Sequence, residues 1–272
     1  MTEKKSYLLF QVLNIITVIS VIIVNILANA LPLFGVNTGA VSDAYPNFFT
    51  PAGYVFSIWF IIYVQAIIFM IYQARKSQRT EGYLGKIGFF YFLAGLANMA
   101  WIFVFHYSYA GMVANPPFFL VSLVLLLFVF LMLLFAYLRL GVGISSVPRK
   151  EKLAVHLHFS VYLGWISVAT IAAVASSINI LVPAIPAETQ HLATAAMLFV
   201  ALILTLLMIY LRRDYGFALV ILWAGAGIGV KWFAIPIILY SAIIVAIVVV
   251  VGLILIPYLK KSNLIQYYKG SD

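Results

Sequence analysis

Three short segments carry the residues whose types and spacing could do chemistry. In the first, Ala52, Phe56, Trp59 and Tyr63 are spaced by four, three and four, so they share one face of an α-helix. Ala94, Asn98, Trp101 and Phe105 repeat that spacing, and His158, Tyr162, Trp165 and Ala169 repeat it again. Groups of this kind act by recognition. Aromatic rings present large apolar area with offset or edge-to-face contacts to a flat partner. An Asn98 amide or a tyrosine hydroxyl could then hydrogen-bond a polar substituent. The competing use of the same residues is packing, with asparagines as interhelical glue worth about 1 kcal/mol each. Asn14 and Asn25, eleven residues apart on one helix face, invite the same two readings.

Other chemistry finds little support. No nucleophile motif, phosphate loop or zinc motif is present, so no catalytic residue and no metal site is expected. His156 and His158 are two residues apart and lie on different helix faces, unlike an i, i+4 metal pair. His158 alone shares the Tyr162 and Trp165 face and could approach a ligand held there; its alternative place is near the headgroups at the cytoplasmic end. His106 and His191 are expected at the outer interface. Glu3, Asp43, Glu81, Glu151, Glu188, Asp214 and Asp272 all fall in loops or tails, which argues against ion-coupled transport through carboxylates in the bundle. Lys231 reads as a turn residue and not as a Schiff-base lysine. The absence of cysteine excludes disulfides and thiolate metal sites.

The elements that must position these residues are membrane helices. With 65% hydrophobic and 8% charged residues and a mean hydropathy of +1.13, the chain is an all-α integral membrane protein with the lipid bilayer as its first partner. Runs long enough to span, about 20 residues, lie near 6–31, 52–74, 83–107, 117–140, 153–177, 189–211 and 235–258, with a shorter one at 215–230. Eight transmembrane helices in one bundle are predicted, without a soluble domain. In that arrangement Lys4, Lys5, Arg75, Lys76, Arg79, Lys86, Arg139, Arg149, Lys150, Lys152, Arg212, Arg213, Lys260, Lys261 and Lys269 share one side, and Lys231 takes the other. Because cytoplasmic loops carry the Lys/Arg excess, both termini are expected to be cytoplasmic. The net charge of +9 is thereby explained without a nucleic-acid partner. The N-terminal run reads as a retained helix and not a cleaved signal, which points to a prokaryotic plasma membrane.

Thr50 and Pro51 are placed to cap and open the second helix near residue 51. The loop before it, 32–51, is external and carries Phe34, Tyr45, Phe48 and Phe49, either as a lid or as a solvated connector. Helices four and eight are apolar nearly all round and are expected to face lipid, not to build a site. Gly225, Gly227 and Gly229 mark either close helix approach or a helix end.

The segment F49-T50-P51-A52-G53-Y54-V55-F56, followed by Trp59 and Tyr63, resembles the TspO/MBR family of tryptophan-rich sensory and translocator proteins. L96-A97-N98-M99-A100-W101 is similar to that family's Asn-x-x-Trp in helix three, and Y162-L163-G164-W165-I166-S167-V168-A169-T170 to its helix-five segment. The resemblance covers roughly residues 6–177. It implies a TspO-like five-helix domain over 1–177, followed by three added helices over 178–272. The chain departs from the family pattern at Phe49, Ala52, Val161 and Ala173, where the family has Trp, Pro, Pro and Asn. The resemblance implies a binder or sensor of porphyrin or haem-type tetrapyrroles, or similar flat apolar ligands, with a homodimer as the assembly. A small-molecule transporter and a light- or oxygen-dependent porphyrin-degrading enzyme are the alternatives. Stripes and resemblance together nominate Phe49, Pro51, Phe56, Trp59, Tyr63, Asn98, Trp101, Tyr162 and Trp165 as ligand-binding residues.

Overall fold

In a hydrocarbon solvent every backbone N–H and C=O needs an internal partner, and long apolar stretches meet that need as helices. The computed structural model describes residues 6–259, which contain helices and no strand. Glu3, Lys4, Lys5, Lys260, Lys261, Lys269 and Asp272, and with them both chain ends, lie outside the described residues. The long helices are α1 (Leu8–Ala30), α2 (Gly53–Gln73), α3 (Phe90–Tyr107), α4 (Pro116–Leu140), α5 (Arg149–Leu181) and α6 (Ala187–Arg212). A shorter α7 (Tyr215–Lys231) and a long α8 (Pro236–Leu259) complete the set. Seven of them are long and apolar enough to cross a membrane, and α7 has 17 residues. Large apolar side chains such as Phe60, Ile71, Val124, Ile203 and Ile254 stand exposed on the outer faces, as lipid contact requires.

Several boundaries differ from the sequence reading, each for a local reason. The second helix does not begin at Pro51 under a Thr50 cap. Pro51 and Ala52 continue an extended segment, Ala52 at φ −60°, ψ 148°, and the helix starts as a 3₁₀ turn at Gly53 that becomes α-helical at Ile58. The Thr50 hydroxyl is already engaged, accepting from the Asn47 amide at 2.7 Å. The run at 83–107 is broken by Gly88 at φ +53°, which separates a short helix, Gly82–Ile87, from α3. Helix five opens earlier, at Arg149, passes through one π-helical turn at Lys152–His156 and ends at Leu181. The first loop carries structure of its own, a 3₁₀ turn at Leu33–Gly35 and a helix at Thr38–Ala44.

The helices pack mainly as α1 on α3, α3 on α4, α4 on α5, α5 on α7, and α7 and α6 on α8. Helix α7 thus joins the last three helices to the first five, and its small residues permit this. A Cβ at Gly216 would collide with the Ser160 side chain, and one at Gly227 would lie 2.1 Å from Val55 Cγ2. A Cβ at Gly164 of α5 would lie 3.2 Å from Val220 Cβ of α7, a tight contact. Of the two readings of the α7 glycines, close approach is the one the packing shows.

The ends of the bundle differ in charge. At one end Tyr7 N–H donates to Arg79 O at 2.8 Å, Arg139 to Gly85 O at 3.3 Å and Arg212 to Val142 O at 3.3 Å, gathering the basic loops. At the other, Lys231 pairs with Asp43 at 3.2 Å across the first loop. Asp214 lies in the loop between α6 and α7, as expected, but is buried there. It is 3% exposed, caps α7 by accepting from Phe217 N–H at 3.0 Å, and accepts from the Tyr137 hydroxyl at 2.6 Å and from Ser160.

Candidate functional site

The segment from Tyr45 to Ser57 determines the site, because it is pinned from two directions. From α5, Ser176 Oγ donates to Tyr45 O at 2.6 Å and accepts from Asn47 Nδ2 at 2.7 Å. From the α7 region, Ala52 N–H donates to Gly227 O at 3.1 Å, Trp232 Nε1 to Thr50 O at 3.3 Å and Trp223 Nε1 to Val55 O at 3.1 Å. An extended stretch rich in proline leaves backbone groups unpaired, and these contacts satisfy them. The loop is therefore a packed roof and not a solvated connector.

Beneath the roof lies a cavity of about 70 Å³ between α2, α3, α4 and α5. Pro51, Phe56, Trp59, Trp101 and Trp165, five of the nine residues nominated from sequence, line it. Phe56 and Trp59 meet Trp165 edge-on at centroid distances of 5.7 Å and 6.3 Å, and Trp101 stacks on Phe105 at 5.0 Å. Trp165 is 2% exposed and its indole N–H has no hydrogen-bond partner. A buried unpaired donor costs free energy, and this one belongs to a residue that lines the cavity. Every residue lining the cavity is uncharged.

Tyr63 and Tyr162 sit one layer away. They line a separate space of about 10 Å³ with His158 and Tyr91, and Trp59 forms the partition by lining both. His158 is 1% exposed, stacked on Phe69 at 5.4 Å and hydrogen-bonded to the Tyr91 hydroxyl at 2.9 Å, so it is enclosed by neighbouring helices. His106, in the last turn of α3, lies toward the end expected for it but is fully buried there, meeting Thr38 Oγ1 of the first loop at 3.0 Å. Phe49 and Asn98 are buried but line neither space. Asn98 instead accepts from Asn25 at 2.9 Å, tying α3 to α1, while Asn14 is buried without a hydrogen-bond partner.

Sequence reasoning overlooked part of the wall. Phe119, Ser122 and Leu126 of α4 line the cavity, so that helix does not merely face lipid. Their spacing of three and four, with Ser122 polar, was the available signal. The α5 stripe also continues, from Trp165 and Ala169 through Ala172 to Ser176, again at four, three and four. Asn47 had no periodicity to mark it.

The comparisons with known proteins agree with this architecture. A family model described as TSPO-like protein matches residues 11–255, from α1 into α8. No curated protein and no solved structure gives a match. With the match covering nearly the whole described chain, this multi-pass integral membrane protein belongs to the TSPO-like protein family.

Proposed function

We propose that this protein binds flat, apolar ligands within the membrane, and that the cavity roofed by residues 45–57 is the binding site. The observation that carries this reading is the convergence of Trp59, Trp101 and Trp165 with Pro51 and Phe56 on one uncharged space. Rings held edge-on to one another leave faces and edges for a planar guest. The unpaired Trp165 N–H offers one polar point of orientation. The resemblance to TspO/MBR proteins makes porphyrin and haem-type tetrapyrroles the first ligands to test, with sensing or buffering of such compounds as the role.

Ligand pockets for drug-sized molecules typically enclose ~300–1,000 Å³. At about 70 Å³ the cavity is in a closed form, and a macrocycle requires the roof to move outward. Titration of the purified protein with protoporphyrin and with haem, followed by tryptophan fluorescence and the Soret band, tests the reading. Saturable quenching that weakens in Trp59→Phe and Trp101→Phe is expected. Quenching that never saturates, or that is indifferent to both substitutions, would remove the cavity as the site.

A further inference from the structure

A second and larger cavity, about 560 Å³, opens at the roof end of the bundle. Tyr45, Phe48 and Trp232 supply its aromatic lining and Asn179 and Gln190 its amides. Much of its wall comes from the α5–α6 connection, the start of α6 and the α7–α8 turn. Two residues, Asn47 and Ser176, line both this rim cavity and the inner one. They are 5% and 3% exposed and bonded to each other at 2.7 Å, so this side-chain contact lies where the two cavities adjoin.

That contact is built to rearrange. The Asn47 amide has two N–H protons but faces three acceptors, Ser176 Oγ at 2.7 Å, Thr50 Oγ1 at 2.7 Å and Ala172 O at 3.2 Å. One of the three can be released without leaving a donor unpaired. Asn47 Oδ1 meanwhile accepts from Phe49 N–H at 2.8 Å, which holds the residue in place while its amide switches partners. The size of the rim cavity also falls in the range of drug-sized ligand pockets, which the inner cavity does not reach. No residue lining either cavity carries a charge. An ionised carboxylate or ammonium taken inside would lose its hydration without a counter-charge, which is costly.

We propose that the rim cavity is the outer subsite and access vestibule of the inner cavity, that the Asn47–Ser176 contact gates passage between them, and that both take flat aromatic molecules with a hydrogen-bonding edge, in their uncharged forms in preference to ionised ones. This rests on the aromatic-cavity reading above. Its geometry depends on the last three helices, so access is coupled to them.

The test is stopped-flow tryptophan quenching of the full-length protein in detergent, with protoporphyrin IX dimethyl ester as probe. Ser176→Ala keeps the Asn47–Thr50 bond and removes the gate contact. Association and dissociation are both expected to accelerate about fivefold, the factor for one ordinary hydrogen bond. Ala187→Phe, at an exposed rim position, should slow association by a similar factor. If binding saturates but neither variant alters the rates, the ligand arrives from lipid between helices and the vestibule is overturned while the cavity reading stands. Tighter binding of free-acid protoporphyrin IX than of the ester overturns the preference for uncharged forms. If neither compound quenches saturably, the cavity reading itself fails and the vestibule with it.

Discussion

Trp165 combines a structural cost with a binding use. Its indole N–H is buried beside the cavity without a partner. Trp165→Phe removes that unpaired donor, so thermal stability in detergent should hold or rise slightly. Affinity for ligands with an acceptor edge should nonetheless fall by about 1 kcal/mol, and affinity for pure hydrocarbons much less. Equal losses for both ligand types would assign Trp165 to shape alone. Asp214 presents the reverse case, a buried acceptor fully engaged. Burial pushes its carboxyl above the ordinary carboxylate range, opposed by the Ser160, Tyr137 and Phe217 donors and by Arg212. The folded protein therefore keeps this proton to higher pH than the unfolded chain does. The associated stability is present below the unfolded value of about 3.9 and is lost as pH rises through the folded value. Thermal unfolding across that range should show wild type losing stability relative to Asp214→Asn, which does not titrate. A relative gain with rising pH would contradict the assignment. From sequence Asp214 looked like one more charge in an Arg-Arg-Asp loop, because no hydropathy window distinguishes a capping carboxylate from a solvated one.

At the scale of elements, α7 bears most directly on the site although none of its residues lines the cavity. A Cβ at Gly227 would sit 2.1 Å from Val55 Cγ2 and 3.3 Å from Pro51 Cβ. Gly227→Leu must therefore push α7 away from the roof, at an overpacking cost of roughly 1–3 kcal/mol. Because the same stretch receives Ala52 N–H, ligand affinity should fall together with stability. Gly225→Ala is the control, since its nearest neighbour is Val245 Cγ1 at an ordinary 3.7 Å. If both substitutions behave alike, helix propensity and not the roof contact explains the loss. The glycines themselves were visible in the sequence, but which neighbour they admit is a tertiary fact. Helix identity was legible because hydropathy reports it, and most ends fell within a few residues of the structure. The exceptions sit where backbone conformation decides, at Gly88 with φ +53° and at extended Pro51 and Ala52. Helix α4 exposes a wide apolar face as expected, but its share of the cavity wall was missed for a related reason. An all-apolar helix in an apolar solvent shows no amphipathic contrast, so only Ser122 hinted at its inward face.

For the whole molecule, the ion pair between Lys231 and Asp43 has a topological consequence. It places the α7–α8 turn beside the first loop, whereas Asp214 at the other end of α7 adjoins Tyr137 and Arg212 among the basic loops. Helix α7 therefore runs the full depth of the bundle. Its 17 residues extend about 25 Å at ~1.5 Å per residue, somewhat less than a hydrocarbon core of about 30 Å. Local thinning or its burial between α5 and α8 accommodates such a mismatch at small cost. The Lys/Arg excess falls on one end of the bundle, and the positive-inside rule predicts that this end faces the cytoplasm. The chain has no cysteine, so single cysteines report accessibility without background. Val113 and Phe233, each 70% exposed, lie at the roof end, and exposed Ser146 lies among the basic loops. A membrane-impermeant maleimide applied to intact cells should modify Val113→Cys and Phe233→Cys, and should reach Ser146→Cys only after permeabilisation. The reverse pattern would invert the protein and turn the proposed vestibule toward the cytoplasm. Modification of Val113→Cys without Phe233→Cys would mean that α7 does not cross, and the roof contacts of Gly227 and Trp232 could not then form.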